Sequence, residues 1–310
     1  MLRSERRQLA FKRLHSVLAS LTIANARTLE NKISDAGPFD QRIEPHVLTP
    51  ARQALERQGK IGRTGTETAW FYLTDTPEVE WRAQLATLSA IHTELCRQNF
   101  TTRLGQSLEI AIYKALISVN KFEFVGGFPD LADHDDSVAY FKEEPPSSVS
   151  GLVIPGKKHL DFVLFPQPGR VGIEAKNIRE WLYPHAPEIK DLLLKCCAID
   201  AIPVLIARRI PFITFRVLNA CGVIVHQTYN QRFPEADSAL AEKAKDKLLL
   251  GYHDIRIGNE PDARLLKFVG DNLSKVLPEA RMRFNAMKEL LTLYAKSEIP
   301  YRTFIKKILL

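Results

Sequence analysis

The stretch "HLDFVLFPQPGRVGIEAKNI", His159 to Ile178, decides how this chain folds. Apolar runs on either side of a Pro-Gly turn predict two adjacent strands, yet Asp161, Glu174 and Lys176 interrupt them. Side chains alternate faces along a strand, so Val171, Ile173 and Ala175 share one face while Glu174 and Lys176 share the other. Twelve residues separate Asp161 from Glu174, which suits one strand, the turn and a return strand. Antiparallel pairing then sets Asp161 beside Glu174 and Lys176, so that one face is core and the other a charged cluster. Taking unpartnered ions out of water costs several kcal/mol each. The cluster must be paired internally or answered from outside. Two carboxylates converging at a sheet edge make a hard, oxygen-rich site suited to Mg²⁺, and a neighbouring lysine can orient water or stabilise charge on a phosphate.

Working outward, "TRLGQSLEIAIYKALISV" predicts a helix before the strands. At about 100° per residue, Leu104, Leu108, Ala111, Ile112, Ala115 and Val119 form one apolar stripe, with Glu109 at its edge. "KFEFVGGFP" predicts a strand and "DLADHDDSVAYFKEEPPSSVSG" a long acidic loop. After the charged strands come a helix, "PEIKDLLLKCCAID", with Pro187 near its start, then three strand-like pieces, "IPVLIARRI", "FITFRVLN" and "CGVIVHQTY". From 236 to 310 the pattern is helical, with breaks expected near Gly251, Pro261, Pro278 and Pro300.

Asp161, then Glu174-Ala175-Lys176 on consecutive strands, preceded by a helix carrying Glu109, resembles the PD-(D/E)xK nuclease superfamily. Leu160 stands where the motif's name has proline. The resemblance implies an α/β (α+β) fold: a restriction-endonuclease-like central mixed sheet flanked by helices, over residues 99–235. It also implies that Asp161, Glu174 and the main-chain carbonyl of Ala175 hold Mg²⁺, with Mn²⁺ as a substitute. Lys176 would position the attacking water, and Glu109 would complete a second metal's shell or orient a ligand. The expected activity is metal-dependent endonucleolytic hydrolysis of DNA, in defence against foreign DNA or in a mobile element. A homodimer follows if both strands are cut, and a regulatory protein partner is compatible with it. Two alternatives are a structure-specific junction or repair nuclease and a non-catalytic DNA-binding regulator on an inactive nuclease fold.

Residues 1–98 carry a second pattern. Helices are expected over 5–24 and 79–98, with "ARTLENKISDAG" a short helix ending at Gly37. In "LTPARQALERQGK", Thr49 suits an N-cap, Pro50 the first helical position and Gly59 the stop. "KIGRTGTETAWFYL" predicts a hairpin turning at Thr64-Gly65-Thr66. Two helices followed by a hairpin resemble a winged helix-turn-helix. That resemblance makes the 49–59 helix the recognition element, offering Arg52, Gln53 and Arg57 with Glu56 beside them, and the hairpin a wing carrying Lys60 and Arg63. DNA is the partner it implies, with protein contact as the alternative. The third region, 236–310, is expected to be helical.

Composition fits these readings. Forty-three Lys and Arg against 36 Asp and Glu give +7, a lean toward polyanions. The four cysteines lack CxxC spacing, which argues against zinc and a disulfide framework. The absence of a long apolar run predicts no membrane span, and a cytoplasmic location is expected. Other residues have ordinary readings beside functional ones: Asp133, His134, Asp135 and Asp136 as a solvated acidic loop or a metal site, His159 as structural or facing substrate, and Lys190 and Lys195 on a solvated helix face or lining a DNA path. Arg208 and Arg209 end an apolar strand, where phosphate contact and an exposed boundary are equally open.

Overall fold

The computed structural model describes residues 3–35, 41–167 and 169–309; Gly37 and Pro168 lie outside them. The protein is mixed α/β, 53% helical and 15% strand. It forms two compact units: 1–101 with 237–255, and 102–236 with 256–310. The region from 236 onward is therefore shared between the two units. Among the described residues, no helix is long and apolar enough to cross a membrane. The four cysteines are free.

In the first unit, α1 (Arg3–Leu21) buries Ala10, Leu14 and Leu18, spaced four apart on one face. The helix expected to reach 24 stops earlier, because Thr22 adopts a left-handed φ of 61° and turns the chain. It continues as β1 (Ile23–Asn25), and Asn25 caps α2 (Ala26–Ile33) by accepting from the Thr28 N–H at 2.8 Å. Next is α3 (Pro45–Arg57), followed by β2 (Ile61–Thr64), β3 (Trp70–Leu73) and α4 (Glu78–Cys96). The antiparallel order is β1-β3-β2, so the expected hairpin is present and gains a third strand.

The start of α3 differs from expectation: Glu44 is the cap, Pro45 takes the first position and Pro50 lies inside the helix. Both prolines follow residues able to precede a helix. Packing selects the first, since Leu48 must join Ala51 and Leu55 on the buried face. Gly59, at φ 67°, does end the helix.

Helix α5 (Gln98–Val119) begins in the first unit and continues into the second, followed by β4 (Phe124–Val125) and a long excursion containing β5 (Ser148–Val149) and β6 (Leu152–Val153). Then follow β7 (Phe162–Leu164), β8 (Val171–Lys176), α6 (Pro187–Ala198), β9 (Ile202–Ala207), α7 (Phe212–Ala220), β10 (Ile224–Gln227) and β11 (Gln231–Phe233). After α8 (Ser238–Lys245), which belongs to the first unit, come β12 (Ile255–Ile257), α9 (Ala263–Lys267), a π-helical turn over Phe268–Asn272, α10 (Leu273–Ala295) and α11 (Tyr301–Leu309). The segment "FITFRVLN" is thus helix α7 rather than a strand. Its β-branched and aromatic residues are overruled by packing, since Thr214, Val217 and Leu218 bury one helical face. Pro278 does not break the last long helix but sits inside α10.

The main sheet is open and mixed, in the order β10-β9-β8-β7-β4. β8, β9 and β10 run parallel, while β7 is antiparallel to both β8 and β4. Val171, Ile173 and Ala175 face a core with Leu108, Ala111 and Ile112 of α5 and Phe268 of the π turn. The opposite face packs on Ile189, Leu192 and Leu193 of α6, together with Val217 and Phe304. Gly172 lies on that second face, where an added Cβ would stand 2.7 Å from both Cys196 Sγ and Leu160 Cδ1. Its bare backbone lets α6 come close to β8, one alternation away from Glu174.

Candidate active site

The antiparallel register pairs Phe162 with Ile173, which sets Asp161 opposite Glu174 just beyond the end of β7. Asp161 precedes the strand rather than lying within it. Its N–H donates to the Ile173 carbonyl at 3.0 Å, and its Oδ2 accepts from the Ala175 N–H at 2.7 Å. The carboxylate thus takes a rung of the ladder, which fixes its rotamer. On β8, Lys176 Nζ donates to Glu174 Oε1 at 2.7 Å, as side chains two apart on one strand face should.

Two further lysines complete the cluster. Lys195 of α6 is buried and donates to both oxygens of Glu174 at 3.2 and 3.1 Å, while lying 2.7 Å from Asp191 Oδ2. Lys142, from the long excursion after β4, donates to Asp161 Oδ1 at 2.7 Å. The same ammonium lies 3.0 Å from Glu109 Oε2, an ion contact without hydrogen-bond alignment, and 3.3 Å from Glu144 Oε2. Glu109 therefore reaches the site from the edge of the α5 stripe. Three buried or nearly buried carboxylates, Glu109, Asp161 and Glu174, face three ammoniums, Lys142, Lys176 and Lys195.

Their protonation follows from burial first and neighbours second. Desolvation and the nearby Asp161 push the Glu109 carboxyl up to about 7, against the pull of Lys142. Glu174 is raised for the same two reasons, with Lys176 and Lys195 opposing. Burial lowers Lys176, but Glu174 and Asp161 outweigh it and hold its pKa above the ordinary lysine value. Burial also opposes the charge on Lys142 and Lys195, and the surrounding carboxylates again prevail. The lysines are therefore cations that donate hydrogen bonds, not bases.

Lys142 and Lys195 are the members that sequence reasoning missed. Lys195 does not lie on a solvated face: it is 6% exposed. The signal was its position among Leu192, Leu193, Cys196 and Cys197, a lone cation inside an apolar helix face. Lys142 sits in a segment without periodicity, and nothing local announces that it folds back onto α5.

Arg208 and Arg209 are neither phosphate contacts at a free edge nor an exposed boundary: they are 2% and 9% exposed. Arg208 donates to the Ile178 and Arg179 carbonyls. Of the "DHDD" run, Asp136 accepts from the Glu235 and Ala236 N–H groups, Asp135 from Ser137, and the His134 ring packs against Tyr140 at a 41° tilt. Exposed His159 lies 2.7 Å from the Pro145 carbonyl through its Nδ1. Lys190 donates to Ser297 Oγ at 2.9 Å. In the first unit Gln53, Arg57, Lys60 and Arg63 are exposed. Arg52 is half-buried, its guanidinium 3.9 Å from the Phe71 ring centroid and bonded to Glu56.

Among the described residues, no three His, Cys, Asp or Glu side chains are grouped so as to hold a metal ion. The carboxylates converge on lysine ammoniums instead. The Lys142 ammonium, in contact with Asp161, Glu109 and Glu144, lies between these carboxylates, whose oxygens are hard donors of the kind Mg²⁺ or Mn²⁺ takes. Comparison with protein-family models, with curated proteins and with solved structures gave no match.

Proposed function

We propose that the second unit is a metal-dependent phosphodiesterase acting on DNA as an endonuclease, built on a restriction-endonuclease-like fold of the PD-(D/E)xK type. One observation carries this reading: Asp161, Glu174 and Lys176 meet at the end of adjoining strands, with Glu109 brought to the same place by α5. The sheet order and the helix before it are consistent with that fold. Asp161, Glu174 and the Ala175 carbonyl would hold Mg²⁺ or Mn²⁺, with Glu109 as a further ligand. When bound, the ion supplies Lewis-acid polarisation of a phosphoryl oxygen and lowers the pKa of a water. Lys176 stays charged, so its work is electrostatic: it donates to the attacking water or to a non-bridging oxygen and steadies the charge that develops there. Glu174 orients that ammonium at 2.7 Å. Asp161, fixed by the Ala175 N–H, gives the site a pre-set geometry.

For the first unit we infer a winged helix-turn-helix that contacts DNA through Gln53 and Arg57 of α3 and Lys60 and Arg63 of the hairpin. A homodimer would place two sites on two strands, and a regulatory partner could license them. The role would be defence against foreign DNA or mobile-element function; branched DNA is the alternative substrate. Incubation of supercoiled plasmid with the full chain tests this. Nicking in Mg²⁺ that is lost in chelator and in Asp161→Ala is the expected result, and equal nicking by wild type and variant overturns it. A second reading, a non-catalytic DNA-binding regulator, is favoured by the observation that lysines already answer the buried carboxylates. DNA retardation without cutting in any divalent ion would select it.

A further inference from the structure

We propose that Lys142 is a tethered counter-cation that keeps the carboxylate site closed, and that a divalent ion enters as this lysine swings outward to Glu144. The inference rests on the metal-dependent reading and concerns its regulation.

An ammonium has three N–H donors, and Lys142 faces three carboxylates from three places in the chain: Asp161 at 2.7 Å, Glu109 at 3.0 Å and Glu144 at 3.3 Å. These partners are not equivalent. The side chains of Asp161 and Glu109 are 11% and 14% exposed, whereas that of Glu144 is 42% exposed. Lys142 thus has two inner partners and one outer partner at the solvent boundary. The backbone around it is held. Gly127 and Glu143 exchange N–H···O bonds of 3.0 and 2.9 Å, and Gln106 bonds to both the carbonyl and the N–H of Tyr140 at 2.8 and 2.9 Å. Arg103 anchors the Asp136 carbonyl at 2.9 Å. With its main chain fixed on both sides, Lys142 moves by rotation of its four-carbon stem and not by unfolding of the segment.

Charge decides when it moves. Lys142, Lys176 and Lys195 are in contact with five carboxylates, those of Glu109, Glu144, Asp161, Glu174 and Asp191. A divalent ion at Asp161 and Glu109 would stand within a few ångström of the Lys142 ammonium, in a setting that screens poorly. The two cations compete for the same oxygens, and the outer carboxylate gives the lysine somewhere to go. Glu144 accordingly belongs to the site as the lysine's alternative seat.

Mn²⁺ binding to the full chain, followed by electron paramagnetic resonance, tests this without any turnover. Lys142→Met should bind Mn²⁺ at least tenfold more tightly than wild type, and Glu144→Gln severalfold more weakly, because the displaced ammonium loses its outer partner. In wild type, acetylation of Lys142 by acetic anhydride, read by mass spectrometry, should rise when Mn²⁺ is added. Equal affinity in wild type, Lys142→Met and Glu144→Gln, with Asp161→Asn losing the ion, overturns the lysine's role and leaves the metal reading standing. Failure of wild type and Lys142→Met alike to bind Mn²⁺ overturns both. Should Lys142→Met not fold, Glu144→Gln and the acetylation measurement decide alone: no change in either rejects the proposal.

Discussion

The α3–hairpin surface of the first unit and the strand end of the second use the same residue types in opposite ways. On the first surface Gln53, Arg57, Lys60 and Arg63 stand in water, and Arg52 is drawn in against Phe71 and Glu56. At the strand end, Glu109, Asp161 and Glu174 interlock with Lys142, Lys176 and Lys195, all largely buried except the quarter-exposed Lys176. Exposed ion pairs are worth about 0–1 kcal/mol and yield to salt, whereas breaking a buried pair costs about 3–5 kcal/mol. The exposed set can therefore exchange partners freely, whereas the buried set cannot exchange without a replacement cation.

Substitutions should separate the two regions sharply. At the strand end, Asp161→Ala or Lys176→Ala should lower Mg²⁺-dependent plasmid cleavage by about 10²–10³-fold, the usual scale for one preorganised electrostatic contact. Lys195→Met should cost about 3 kcal/mol in urea unfolding at pH 8, since Glu174 keeps Lys176 but loses two charge-assisted bonds. The loss should shrink as pH falls, because burial and Asp161 raise the pKa of Glu174 and it takes up a proton sooner than an ordinary carboxyl.

Glu109 gives a smaller, pH-resolved effect. Its carboxyl titrates at about 7 in the folded chain against 4.5 as the reference, so between those values the folded state holds the extra proton. Stability from this group is present at the acid end of the window and is lost as pH rises through 7. Between pH 5.5 and pH 8 that amounts to about 2 kcal/mol. Glu109→Gln should flatten this slope in thermal unfolding across the range. An unchanged slope would remove Glu109 from the coupled cluster. The smallest stability effect should come from the exposed surface. Arg57→Ala and Arg63→Ala should change unfolding by less than about 0.5 kcal/mol, while each lowers the slope of log affinity for duplex DNA against log salt by about 1.

The site was legible where periodicity carried it. Alternation on β8 gave the shared face of Glu174 and Lys176, and the turn length gave the antiparallel partner carrying Asp161. The helical stripe put Glu109 at an edge from which it does reach the cluster. What escaped was set by tertiary contact. Lys142 comes from an aperiodic segment pinned by Gln106 and Arg103, and α7 is a helix despite a strand-like composition. The start of α3 escaped for a related reason. Local rules favour Pro50, which follows the capping residue Thr49, and burial of Leu48 starts the helix at Pro45 instead.

The proposed function needs a divalent ion to bind among the carboxylates of 109, 161 and 174. Anomalous diffraction from crystals grown with Mn²⁺ addresses it most directly. A single strong peak within bonding distance of Asp161 is expected, with the Lys142 ammonium moved toward Glu144. A map without a peak there, with Lys142, Lys176 and Lys195 still bonded to the same oxygens at high Mn²⁺, would contradict it.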